Sequence, residues 1–535
     1  MGRQIWCLDH VFPIRVQIME IEADLVVFNG NIITMDPELP NASCFATKSW
    51  KFFAVGEEEH IQDLIMTAKR VIDLGGKTVL PGFIDAHTHI TSAGIREDHI
   101  HLHAMKSIDE IKKTISEALH KYKKESWILG HGWDESKWPE KRYITMTDLD
   151  EVSTEHAILL DRIDGHLTSV NSMAFKKLKL DEKHEGIIRD KKGNPTGILK
   201  DIEGLHNEIS ISEEEIQKGI LSAGRIATRH GITTVVDNAV SGMLRHLRTA
   251  EFENDLHARF VVNPPDKMMT PMIKLGITSC WGSPMLKIGG VKIFVDGSIG
   301  ARTAYVSEPY NDDPENRGIL VYDKKKLKRI VRNAISNDIQ TVIHAIGDEA
   351  IEMVITVFEE IKDKEAIRRQ RHRIEHAEMI SEYQIRRAVS QGLILSMQPN
   401  FVGEWQQKDG MYVDRLGEER TRGMNMFRVA LDNGARVCFG SDGMPYGPLY
   451  GIWSAVTHHN DRVRLELEEA IRCYTMEGAY SVFMEHTIGS IKVGKRADFV
   501  VLSDNIAKIP KEQIKDITIE STFVGGIEEF SAHRQ

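Results

Sequence analysis

Cysteine is scarce in this chain of 535 residues: five in all, at positions 7, 44, 280, 438 and 473, with no C-x-x-C pair. That excludes a disulfide framework and a cysteine-ligated zinc ribbon, and makes a reducing cytoplasm the expected location. Long hydrophobic runs are also missing. No segment offers the ~20 consecutive apolar residues of a bilayer-spanning helix, so no membrane partner is expected. Nor does any basic arm or face relieve the formal net charge of -11. A nucleic-acid partner is therefore excluded, because nothing would neutralise phosphates. The arginines at 368, 369, 371 and 373 read as a helix end running into a strand. Residues 1–18 lack the apolar centre and small-residue cleavage site of a signal peptide. Strand-like sequence starts only beyond Met19, which is expected to be the natural start, with 1–18 an extension outside the native fold.

What is present, 41% hydrophobic and 27% charged residues, suits a soluble globular protein with a large core. Residues 19–81 read as short strands: a hairpin about Asn29-Gly30 in LVVFNGNIITM, then Cys44–Thr47, Phe52–Val55 and Arg70–Leu74. Residues 486–535 repeat this texture in ADFVVLSD and DITIESTFVGGIEEF. One small β-sandwich built from both termini is expected. Between them, residues 82–485 alternate apolar runs with amphipathic stretches, the α/β pattern of a TIM barrel. Its expected strands are Thr78–Ala86, Gly231–Asp237, Ala258–Asn263, Gly290–Val295, Gln340–His344, Arg373–His376, Leu393–Gln398 and Arg436–Ser441. A long gap at about 91–222 predicts a lid or substrate subdomain inserted after strand one, at the face where barrel active sites form. Leu465–Phe483, including Glu477, is expected as a helix packing the barrel against the sandwich.

The sharpest local signal is LPGFIDAHTHI, residues 80–90. Residues two apart on a strand share a side, so His87 and His89 both face inward at the rim and can ligate one divalent metal. Three later strands end in further donors: His344 in QTVIHAIGDEA, His376 in RHRIEHAE and Asp442 in ARVCFGSDGMP. Taken singly, these read as a core histidine, a surface histidine and a helix N-cap. Taken jointly, at the ends of strands one, five, six and eight, they read as a metal centre. Lys292 stands inside the apolar strand of GGVKIFVDGSIG, where a buried ammonium is costly. Either it pairs with a carboxylate such as Asp296, or it is converted by carbon dioxide into a carbamate that bridges two metal ions.

This set resembles the amidohydrolase superfamily. DRIDGHLTSVNSMAF, FVDGSIGARTA, HAIGDEA, RIEHAE, GSDGMP and GSIKVGKRADFVVL look like the amidohydrolase 3 branch that contains N-substituted formamide deformylase. The resemblance implies a distorted (β/α)8 barrel beside a β-sandwich and one or two metal ions, usually zinc. His87, His89, Lys292, His344, His376 and Asp442 would be the metal-site residues. Zinc lowers the pKa of water from 15.7 to roughly 7, and Asp442 is placed as base and then acid. Arg162 and His166, with Asp164, look like a polar set facing the site, and Arg302 either binds a substrate carboxylate or braces its loop. His131 and Trp133, in GHGWDESKW, are candidate pocket residues, and Asp201 carries no assigned role. The expected activity is hydrolysis of a non-peptide C–N bond in a small N-acyl or N-formyl amine. The alternatives are a deaminase or cyclic-amide hydrolase of the same superfamily, or a non-catalytic barrel scaffold. A homodimer is the default expectation for a soluble enzyme.

Overall fold

The computed structural model describes residues 22–534 apart from 182, 203–204, 206–208, 210–211 and 240–241. Cys7 and the expected 1–18 extension lie outside the described residues. Among the described residues no helix is long and apolar enough to cross a membrane.

Strands buried on both faces along nearly all their length form the centre. These are β1 (Phe83–Thr88), β2 (Ile232–Asp237), β3 (Arg259–Val262), β4 (Val291–Phe294), β5 (Thr341–Ala345), β6 (Arg373–His376), β7 (Ile394–Met397) and β8 (Arg436–Phe439). They pair in parallel and in chain order within two sheets: β1 to β3 extended by Leu286–Ile288, and β4 to β8. At one seam Pro265 bridges Lys292. At the other the Asp442 N–H donates to the His87 carbonyl at 2.8 Å. Helices Glu213–Arg229, Lys324–Ile335, Asp348–Glu359 and Glu382–Gln391 run between strands and bury their apolar faces. The first and last of them begin in capping boxes, Ser212 with Glu215 and Ser381 with Gln384.

Three expectations change. The run Thr78–Ala86 is two strands: Thr78–Pro81 pairs with Phe499–Leu502 and Asn31–Ile33, and β1 starts at Phe83. Gly82 divides them at a close approach, because a Cβ there would stand 2.3 Å from Thr233. Asn29-Gly30 is no hairpin. Asn29, at φ 56°, turns the chain from one terminal sheet into the other. Leu25 and Val27 from one sheet and Ile32 from the other thereby enter the same core, with Phe45, Phe499 and Phe523. Finally, Leu465–Phe483 breaks at Thr475 into Leu467–Cys473 and Met476–Ser481, and Glu477 pairs with Arg436 and Arg472.

The stretch after β1 forms its own six-stranded sheet, in the order Ile187–Arg189, Pro195–Lys200, Leu167–Val170, Ala157–Arg162, Trp127–Trp133 and Ile100–His101. Separate apolar clusters cover it, one around Trp133 and Trp138, the other around Leu159 and Leu199.

Candidate metal centre

The C-terminal ends of the central strands bring the donors together. Asp442 Oδ1 lies 3.4 Å from His89 Nε2 and 3.7 Å from His87 Nε2. The His376 ring stands between those of His87 and His344, with centroids 4.7 and 4.4 Å away. Lys292 Nζ points into the same space, 3.1 Å from His87 Nε2. Of the two alternatives for Lys292, the pairing with Asp296 is not formed. Asp296 instead accepts from the backbone N–H groups of Tyr305, Ile346 and Gly347. His376 and Asp442 both have positive φ, 69° and 55°, a backbone cost that concentrates at functional positions.

Partners outside the centre fix the rings. His87 Nδ1 is hydrogen-bonded to Glu375, a carboxylate held in turn by Arg373 at 2.8 Å through both oxygens. His89 Nδ1 donates to the Asn238 carbonyl at 3.1 Å. Both contacts leave the Nε2 lone pairs aimed inward, the arrangement metal-ligating histidines adopt. Asp85 accepts from the backbone N–H of Ser441 and from its hydroxyl, so β1 also positions Asp442. Burial, with the Lys292 ammonium nearby, keeps His87 well below the usual imidazole range and His89 at about 3. The imidazoles are thus neutral and available as ligands. Burial pushes Asp442 up to about 7 against the pull of Lys292. Nδ1 of His376 is buried without a hydrogen-bond partner. Neutral imidazoles, an orphaned ring nitrogen and a carboxylate fit a divalent cation of borderline softness.

A family model described as the amidohydrolase family matches residues 70–527. The chain belongs to the amidohydrolase family. It is 31% identical to Protein LONG AFTER FAR-RED 3 of Arabidopsis thaliana, over 95% of this chain and 91% of that one. It is 25% identical to the N-substituted formamide deformylase of Arthrobacter pascens, over 94% and 98% respectively. A crystal structure of an uncharacterized metal-dependent hydrolase from Pyrococcus horikoshii OT3 superposes with a TM-score of 0.74 at 26% identity, covering 91% of this chain and 99% of that one.

In this amidohydrolase a cavity opens beside the centre, lined by His344, His376 and Asp442, by Arg162, Asp164 and His166, and by Phe401, Trp405 and Tyr412. Of the expected substrate residues, only Arg162 and His166 line it. The Arg162 guanidinium is fully buried and held by Glu135, Asp164 and Asp134 at 2.8, 2.8 and 3.4 Å. His166 is hydrogen-bonded to Asp201. Burial disfavours its charge, but Asp201, Asp164 and Asp442 together raise it to about 9, so it stays an imidazolium. The other three stand elsewhere. Trp133 is a core residue, stacked on Trp138 and donating to the Leu160 carbonyl at 3.1 Å. Arg302 is a brace, bound through Nε and Nη2 to Asp312 at 3.0 and 2.8 Å. His131 turns toward His101 and His103.

Two functional candidates escaped the sequence reading. Glu375 lies two residues after Arg373 on the short strand Arg373–His376, which has a single apolar residue, so no lone charge in an apolar run marked it. Glu378 lines the cavity with one carboxyl oxygen that lacks a partner. No periodicity marks it, because it lies just beyond the end of β6.

Proposed function

We propose that this amidohydrolase hydrolyses the non-peptide C–N bond of a small N-acyl or N-formyl amine, with zinc held by His87, His89, His344 and His376 together with Asp442. The observation that carries the reading is Asp442 Oδ1 facing two inward-aimed imidazole nitrogens at the wall of a cavity lined by both polar and aromatic side chains. The Pyrococcus structure is described as a metal-dependent hydrolase and the Arthrobacter relative as a formamide deformylase, and both support this choice. We read residues 82–485 as a distorted (β/α)8 barrel, 19–81 with 486–535 as a β-sandwich, and 91–222 as the inserted lid.

A divalent metal held there by these residues would supply acidified water and a polarised carbonyl. Asp442 accepts the water proton as the C–O bond forms, then returns it to nitrogen as the C–N bond breaks. His166, its Nδ1 held by Asp201, presents Nε2–H to the oxygen that becomes anionic. Phe401, Trp405 and Tyr412 exclude water and pack an apolar substituent. Glu378 Oε2, without a partner at the cavity wall, is available to hydrogen-bond a polar group of the substrate. Unmodified, the Lys292 ammonium would repel a cation, so we read it as a carbamate: its amine attacks carbon dioxide, the N–C bond forms and one proton leaves. Carbamates release carbon dioxide in acid, so intact mass spectrometry at neutral pH is expected to show one added CO2, absent from Lys292→Ala.

The test is zinc-loaded protein screened against N-formyl and N-acyl amines, with amine release measured. Hydrolysis of at least one class that requires zinc is expected; release of ammonia from ring amino groups alone would replace this reading with a deaminase. His166→Asn is expected to lower kcat about 100-fold with little change in KM, the cost of one oxyanion donor. Asp201→Asn should move kcat the same way but less, because the imidazole stays in place while losing its anchor. A rise in KM without a fall in kcat would assign His166 to ground-state binding instead.

A further inference from the structure

The segment H-I-H-L-H at 99–103 plays no part in the centre described above. His101 ends the edge strand Ile100–His101 of the inserted sheet, and His103 follows in the turn just beyond it. The neighbouring strand runs parallel and pairs His131 directly with His101, while the Leu102 N–H donates to the His131 carbonyl at 2.9 Å. One ligand nitrogen from each of His101, His103 and His131 lies within 4.8 Å of the other two. None of the three lines the central cavity.

We propose that His101, His103 and His131 form a second metal site, on the inserted sheet, for a borderline divalent ion such as Zn(II), Ni(II) or Cu(II). The rings are arranged as ligands rather than as a solvated patch. His131 Nδ1 is buried and has no hydrogen-bond partner, a cost that coordination removes. His101 contacts the Glu97 carbonyl through Nε2 at 2.9 Å, which leaves Nδ1 with its lone pair free. The His103 ring lies on Gly132, which has φ 91°, and a Cβ there would stand 2.3 Å from its Cε1. Only glycine permits both that backbone and that approach. Burial, the nearby Arg96 guanidinium and the His103 and His101 rings hold His131 at about 3, so it is unprotonated at neutral pH. Arg96 also pairs with Asp161 at 3.8 Å. Three imidazoles leave a fourth tetrahedral position for water, and nitrogen separations need shorten only to about 3.3 Å for bonds of ~2.0–2.1 Å. Imidazole ligation selects zinc, copper or nickel over magnesium or calcium. Such an ion would clip the short edge strand to its neighbour.

The test is zinc stoichiometry and affinity of the full chain by competition with a chromogenic chelator. Wild type is expected to hold one more zinc per chain than the double variant His101→Gln, His103→Gln, whose two positions are exposed and leave the fold intact. His131→Gln should lose the same equivalent, or weaken it by about 10-fold or more, while the remaining zinc is unchanged in both variants. Cu(II) added to zinc-loaded wild type should give an EPR spectrum with nitrogen hyperfine structure that the double variant lacks. Equal zinc counts and equal affinities in wild type and double variant would overturn the proposal.

Discussion

Asp442→Asn is expected to remove turnover, by about 10²- to 10⁴-fold in kcat, while the protein keeps its metal. The size of the effect follows from the loss of a positioned general base and acid, since an amide can neither accept nor return the water proton. The fold should tolerate the change. Asparagine is among the few residues at ease with positive φ, and Asp442 sits at 55°. Its backbone N–H to the His87 carbonyl is untouched, and an amide oxygen still faces the two imidazoles. Metal analysis beside kcat separates the outcomes. Near-full activity would remove Asp442 from proton transfer, and loss of metal together with activity would make it chiefly a ligand.

Glu375→Ala is expected to be the most damaging change outside the proposed ligands themselves. Glu375 anchors His87 and neutralises Arg373, and both are fully buried. Arg373 also donates to the Ala86 carbonyl at 2.6 Å and the Ser396 hydroxyl at 2.9 Å, so it cannot swing out to water. Removing one partner of a buried pair leaves an uncompensated charge, which costs about 3–5 kcal/mol. Loss of the contact that orients a ligating histidine costs about 10- to 100-fold in metal affinity. Glu375→Gln separates the two effects, because it keeps the shape and lowers the charge. Thermal unfolding should shift less than in the alanine variant while metal affinity still falls. Unchanged affinity in Glu375→Gln would show that the contact with His87 does not tune the centre.

These two residues also divide what could be read from the chain from what could not. Asp442 is legible because it follows an apolar strand at the same point as His87, His89, His344 and His376, and strand periodicity alone places such residues at one rim. Lys292 is legible as a charge inside an apolar strand. Glu375 lies on a strand that is mostly polar, and its partner His87 is 288 residues away, so nothing local names it. Asp201 had no readable role for a similar reason, since its hydrogen-bond partner His166 is 35 residues distant.

The sequence by itself determined the family, the alternation of strands and helices, and which side chains end the central strands, because hydrophobic period and motif spacing are local properties. Tertiary structure alone decided the rest. It sent Asn29-Gly30 from one sheet into another, since the side chains on both sides bury in a core that only the two termini together create. It took Trp133 and Arg302 out of the cavity, satisfying one with a carbonyl and a stacked indole and the other with Asp312. It turned His131 toward His101 and His103, because a parallel register, invisible in one strand, sets which residues face each other. Only that register shows that the inserted sheet carries a histidine triad of its own, apart from the pair His87 and His89.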